Sequence, residues 1–219
     1  MFADAVAEGH AQGIPVIADP VSTSWPVGLD AGIDGFVHVM DHKWRFVSRE
    51  QPDASEGPWA VVEPDSGLMN AFFARVAAKA VMFDPTMMAS SQYFHADSFA
   101  TALRQGVGQP RFVRRARILA DMLRTMHRQG VRWVAGTDVG PSALLREMEI
   151  YEVIGIPNTT ILQTATANVA RWLRKDDFGT VELGKRADLI LVDGNPLERI
   201  RDLENVVLVV QSGRVIMEK

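Results

Sequence analysis

The chain has 219 residues, 27 acidic and 23 basic, a formal charge of −4 and no cysteine. That length buries a sizeable core, as one large domain or as a medium domain plus a small one. The acidic balance and the lack of a Lys/Arg block argue against a nucleic-acid surface. Disulfides and thiolate ligands are excluded, so a metal would have to rest on histidines and carboxylates. No apolar run approaches the roughly 20 residues of a membrane span, and the acidic, helix-forming start does not look like a secretory signal. The expectation is a soluble globular protein, cytoplasmic by default, with neither membrane nor nucleic acid as a partner.

In chain order, a helix is expected from about Phe2 to Gln12, closed by Gly13. Ile14 to Ala18 is a short apolar strand ending at Asp19-Pro20. A second helix covers Trp25 to Ala31, and a second strand, Ile33 to Val37, ends at His38. Met40 to Gly67 is polar, rich in Pro, Gly and charge, and reads as a long loop of the kind that is usually functional or mobile. Leu68, Phe72, Val76 and Ala80 share one helical face over Leu68 to Lys79. Ala80 to Phe83 is a third strand, ending at Asp84-Pro85-Thr86. A Met/Ser/aromatic loop precedes a long helix from about Pro110 to Gln129.

The most informative stretch follows. Val131-Arg-Trp-Val-Ala135 is an apolar strand that ends in Gly136-Thr137-Asp138, before a turn and a helical pattern from Leu144 to Ile154. Alternation of helices with short apolar strands implies a parallel sheet covered by helices, and in such folds the chemistry gathers at the C-terminal strand tips. A carboxylate placed like Asp138 serves either that chemistry or the capping of the next helix. His38 is either a ligand or a satisfied core histidine, and Asp19 either a ligand or the start of a turn. After a further helix, Thr159 to Leu173, the pattern turns β-rich, with Val206 to Val210 and Arg214 to Met217 joined by Ser212-Gly213 as a hairpin. The division expected is therefore 1–174 and 175–219.

Gly136-Thr-Asp138 at a strand tip, Glu147, Ala165-Thr-Ala-Asn-Val-Ala170 and Gly179-Thr-Val-Glu-Leu-Gly-Lys-Arg-Ala-Asp188-Leu together resemble the amidohydrolase superfamily. The likeness is to its imidazolonepropionase-like and prolidase-like branch. It implies an α/β fold: a partial TIM-like (β/α) barrel of about four C-terminal βα units, followed by a small C-terminal β unit of a composite sandwich domain. By position, Asp138 matches the eighth-strand aspartate and His38 the sixth-strand histidine, while Asp19 falls where the fifth strand carries a histidine. The family's first-strand His-x-His is absent from the chain.

The resemblance implies a metal-dependent hydrolase of C–N bonds in amides, cyclic amides or dipeptides. Zn2+ or another divalent ion would be held by His38, Asp138 and Asp19, with Asp138 also the general base. Apart from the resemblance, His95 in Ser90-Ser-Gln-Tyr-Phe-His95 is a candidate to line a substrate pocket. The alternative is a truncated, non-catalytic half-barrel that serves as a binding or assembly partner. A half-barrel leaves apolar strand edges, so a homo-oligomer, or complementation by a missing N-terminal half, is expected.

Overall fold

A computed structural model of the chain describes residues 2–19, 25–38, 66–90 and 96–219. The expected long loop at Met40 to Gly67 lies almost wholly outside these residues, as does His95.

Three strands form a parallel sheet in the order β1 (Ile17–Ala18), β2 (Gly35–Phe36), β3 (Met82–Phe83). Ile17 pairs with Gly35 and Gly35 with Met82, so the strands run in step and their tips line up. They are shorter than the apolar runs that encode them. At β1 the reason is the preceding helix, α1 (Phe2–Ala11). Gly13 takes φ +72°, and the Ile14 N–H donates back to the Gly9 carbonyl at 2.8 Å. The first residue of the run thereby closes the helix, and Pro15 has no N–H to give a ladder.

The fourth strand, expected over Val131 to Ala135, is reduced to a single parallel bridge between Phe83 and Trp133. Phe83 N–H donates to Arg132 O at 3.1 Å and Val134 N–H to Phe83 O at 2.9 Å. The next donor, Ala135 N–H, turns away to Thr164 O at 3.1 Å, which ends the pairing.

Helices flank this sheet: α2 (Trp25–Asp30), α3 (Ser66–Ala78), α4 (Met87–Ser90), α5 (Ala96–Gln105), α6 (Pro110–Arg128) and α7 (Leu144–Ile154). Helices α4 and α5 occupy a stretch expected to be loop. In α5 the buried Phe99 and Ala102 lie three residues apart, with partly buried Leu103 beside them, a face short enough to be hidden among polar neighbours. The helix expected over Thr159 to Leu173 is two, α8 (Asn158–Thr164) and α9 (Ala167–Trp172). The break falls at Thr166, φ −133° and ψ −97°, and lets buried Asn168 donate to the Trp133 carbonyl at 2.8 Å.

Packing radiates from Phe83, which is fully buried. Its ring lies 5.3 Å from Phe36 and 5.9 Å from Phe73, and Trp25 stacks on Phe72 at 5.4 Å. Trp133 extends the core edge-on to Tyr151 at 6.1 Å.

The C-terminal residues build an antiparallel sheet in the order β4 (Leu189–Val192), β5 (Val206–Gln211), β6 (Arg214–Glu218). The expected hairpin is present, with Ser212 and Gly213 at φ +49° and +77° in its turn. This sheet is anchored to α7: Ile200 N–H donates to Glu152 at 3.0 Å, and Arg201 pairs with Glu149 at 3.1 Å. Its strand faces are poorly covered. Consecutive residues Leu189, Ile190 and Leu191 are exposed, as are Val215 and Ile216, and neighbours along a strand point to opposite faces. Among the described residues no helix is long and apolar enough to cross a membrane.

If the Phe83 cluster carries the stability, Phe83→Ala should lower the unfolding free energy by about 3–5 kcal/mol. Val181→Ala, at an exposed position, should change it by less than about 0.5 kcal/mol. Urea titrations followed by tryptophan fluorescence measure both.

Candidate active site

Because the parallel strands run in step, residues just beyond their tips meet on one side of the sheet. His38 lies two residues past β2, Asp84 one past β3, and Asp138 beyond the bridge at Trp133. His38 Nε2 and Asp138 Oδ1 face each other at 3.9 Å, too far for a hydrogen bond. The His38 ring is mostly covered, whereas the Asp138 carboxylate is open to solvent.

The tautomer of His38 follows from its neighbour. Thr86 Oγ1 donates its one proton to the Pro85 carbonyl at 2.9 Å and lies 3.2 Å from His38 Nδ1. When the hydroxyl gives its proton to Pro85 it accepts from the ring at Nδ1, the tautomer that turns the Nε2 lone pair toward Asp138. A ring nitrogen and a carboxylate oxygen thus flank one gap.

These residues are held in an uncommon backbone state. His38, Thr86 and Asp138 have φ +56°, +45° and +56°. The left-handed region is unfavourable for side chains with a Cβ, most of all for a β-branched threonine, and such residues cluster at functional sites.

Asp84 is the largely buried member. Its carboxylate accepts from the Thr86 N–H at 3.1 Å and from the Gly136 N–H. Burial pushes its pKa up to about 6, against the pull of those donors and of His38, with the Asp138 charge adding to the rise. Beneath it, Glu147 of α7 is completely buried. It accepts from Met87 N–H at 2.8 Å, Met88 N–H at 2.7 Å and the Tyr151 hydroxyl at 2.7 Å, and so ties the first turn of α4 to α7. Burial raises Glu147 to about 8 in spite of these donors, with a smaller push from Asp84.

Of the residues expected from sequence, His38 and Asp138 are brought together. Asp19 is exposed at the tip of the outermost strand and does not join them: among the described residues no group of three His, Asp or Glu side chains is placed to hold a metal. His95 falls outside the described residues. Sequence reasoning passed over Asp84 as a site residue, although the signal was there: an apolar strand broken by a carboxylate, as at Asp138.

A strand-tip site on a helix-covered parallel sheet, followed by a small antiparallel sheet, defines the general class of protein. The Amidohydrolase family model matches residues 62–216, and the chain belongs to that family. A 5-methylthioadenosine/S-adenosylhomocysteine deaminase of Halalkalibacterium halodurans is 42% identical over 52 residues, 24% of this chain and 12% of the deaminase. Among solved structures, a Xaa-Pro dipeptidase with bound methionine matches 99% of this chain and 48% of its own, at 22% identity and a TM-score of 0.67. A. niger ochratoxinase matches 99% of this chain and 44% of its own, at 18% identity and 0.69. A putative prolidase from Bifidobacterium longum matches 100% of this chain and 51% of its own, at 24% identity and 0.64. The chain thus spans about half the length of these structures and shares their fold: a mixed α/β arrangement with a parallel sheet and a small antiparallel one.

Family membership implies a divalent metal, and the pair can be tested against one. Donors on a tetrahedral zinc, at about 2.0–2.2 Å each, stand about 3.4 Å apart. The 3.9 Å between Nε2 and Oδ1 needs only a small inward shift, and a ligating histidine characteristically gives its other N–H to an acceptor, a role the Thr86 hydroxyl beside Nδ1 can fill. His38 and Asp138 fit two corners of such a site.

The buried carboxylates give a pH signature. A folded Glu147 at about 8 against an ordinary 4.5 holds its proton where the unfolded chain has released it. Stability should therefore fall as pH rises from about 4.5 to about 8 and then level off. Asp84 adds the same sign up to about 6. Glu147→Gln should flatten the part of this slope above pH 6, read as the urea midpoint at pH 5, 6.5, 8 and 9.

Proposed function

We propose that this chain forms the Asp138 side of a metal-dependent amidohydrolase active site that cleaves C–N bonds in small amides, cyclic amides or dipeptides. The observation that carries this reading is His38 Nε2 and the Asp138 carboxylate facing each other across 3.9 Å at the strand tips, with Nδ1 beside the Thr86 hydroxyl at 3.2 Å. His38 and Asp138 would hold the ion, zinc or another divalent metal, together with donors outside this pair. Bound there, the ion would acidify water and polarise the scissile carbonyl. Asp138 would accept the proton of the attacking water on a carboxylate oxygen and return it to the leaving nitrogen. Its exposure leaves it within reach of both. The positive φ at His38, Thr86 and Asp138 fixes these groups in place before substrate arrives, which spares the reaction the cost of ordering them. In this reading 1–174 is a portion of a β/α barrel and 175–219 belongs to a β-sandwich.

A second reading is favoured by one observation. The antiparallel sheet exposes apolar residues on both faces of β4 and β6, as expected of an assembly element that serves a partner and carries no activity of its own.

Isothermal titration with Co2+ or Zn2+ should show binding to the 219-residue chain that His38→Ala and Asp138→Ala each abolish. Binding that survives both substitutions would refute the metal site. Amide hydrolysis by this chain alone should be low, because two donors enforce an ion poorly, and turnover of ordinary magnitude would contradict that. Light scattering should find a homo-oligomer at micromolar concentration, since covering apolar area is worth roughly 25 cal/mol per Å². A monomer with a cooperative melt would count against the assembly reading.

A further inference from the structure

We propose that Asp84 is the positioning residue of this site, a single carboxylate that sets where both His38 and Asp138 stand. The inference rests on the metal-site reading above and goes beyond it, because Asp84 is neither of the two donors.

Three contacts support it. First, the carboxylate lies directly against Gly136, two residues before Asp138. A Cβ at Gly136 would sit 1.9 Å from Asp84 Oδ2 and 2.6 Å from Cγ, so the close approach exists only because the residue is glycine. Second, the Gly136 N–H donates to the same carboxylate, which pins the start of the Gly136-Thr137-Asp138 turn. Thr137 continues it by donating from Oγ1 to the Gly140 carbonyl at 3.0 Å. Third, the Thr86 N–H donates to Asp84 Oδ1 at 3.1 Å, and Thr86 Oγ1 lies in hydrogen-bond contact with His38 Nδ1 at 3.2 Å.

One arm therefore runs from Asp84 through Gly136 to Asp138, and the other through Thr86 to His38. Each arm passes through a left-handed residue, Asp138 in one and Thr86 in the other. Such conformations persist only when their surroundings over-determine them. Asp84 is the group common to both arms, held between the bridge at Trp133 and the tip of β3. Residues that orient metal ligands without touching the metal typically change affinity by about 10–100-fold when replaced.

The test uses the full chain and two variants that fail in different ways. Asp84→Asn keeps the shape but replaces one acceptor oxygen with a donor that cannot serve the Gly136 and Thr86 N–H groups together. Gly136→Ala keeps the carboxylate but displaces it. Both should weaken Co2+ affinity by about tenfold or more. The double variant should be little worse than either single one, because both break the same contact.

Nitrogen-detected NMR of the metal-free chain supplies a readout independent of the ion. In Asp84→Asn the His38 ring nitrogens and the Gly136 to Asp138 amides should shift together, while the amides of α6 stay in place. If the wild type binds Co2+ through His38 and Asp138 but both variants bind it equally well, the positioning role is overturned and the metal-site reading stands. If the wild type binds no Co2+ there, the metal-site reading fails, and the NMR arm still decides. Joint movement of His38 and Asp138 supports Asp84 as the common anchor, and shifts confined to residues 83–86 overturn it.

Discussion

Phe83 is the point at which four passes of the chain are tied together. Its amide and carbonyl bond the backbone around Trp133 on one side, and the next amide, that of Asp84, reaches the Phe36 carbonyl at 2.8 Å on the other. Its ring is shared by Trp25, Phe36, Phe72 and Phe73. Because both halves of this residue are satisfied, backbone in the sheet and ring in the core, the tips beyond it are held in a row. His38, Asp84 and Asp138 come within interaction range as a consequence of that register, although 100 residues of sequence separate the first from the last.

Such a row concentrates negative charge. Asp84 and Glu147 are placed where water solvates them poorly: burial raises the pKa of both, with the Asp138 charge adding to the rise at Asp84 and the Asp84 charge to that at Glu147. The fold offsets this with backbone donors more than with cations: Thr86 and Gly136 for Asp84, Met87 and Met88 for Glu147. Backbone donors are fixed in direction, so the compensation also dictates geometry. Elsewhere the chain answers carboxylates with arginines. Arg146 and Arg201 both engage Glu149 where α7 meets the C-terminal sheet, and Arg174 and His10 both engage Asp34 at the opposite end of the parallel sheet. Those pairs join elements, whereas the donors at the strand tips shape a site.

What the sequence made legible was periodicity. Helix α6 was legible from its spacing. Helix α3 was legible in extent, but its buried face is Met69, Phe72, Phe73 and Val76, with Leu68 and Ala80 exposed. Helix α7 is buried continuously from Glu147 to Tyr151, and the hairpin of β5 and β6 follows its Ser212-Gly213 turn. The Gly136-Thr-Asp138 motif and the Gly179 to Leu189 pattern carried the family. What stayed hidden depends on contacts between distant segments. No local pattern says that Ile14 closes a helix or that the Ala135 amide bonds Thr164, so the strands were read too long. The break at Thr166 depends on Asn168 finding the Trp133 carbonyl, which is tertiary information. Asp84 was visible as a strand-ending carboxylate, but its closeness to Gly136 is not, because the two stand 52 positions apart in the chain.

Two features of the molecule point the same way on the reading proposed above. Among the described residues the strand tips bring together His38 and Asp138, where the zinc site of that reading would use three or four donors, and the antiparallel sheet presents apolar residues on both faces where a stable layer covers at least one. They arise in parts joined by the Arg146–Glu204 and Arg201–Glu149 pairs and by the Ile200 N–H to Glu152 of α7. Helix α7 also carries Glu147, which holds the segment from Asp84 to Met88 in place. A partner on that sheet would therefore bear on the same helix that carries Glu147. Covering apolar strands would stabilise α7 as a unit, and through Glu147 would reduce the freedom of the strand-tip loop. Assembly and site geometry are in that sense one problem in this fold, with α7 as the element common to both.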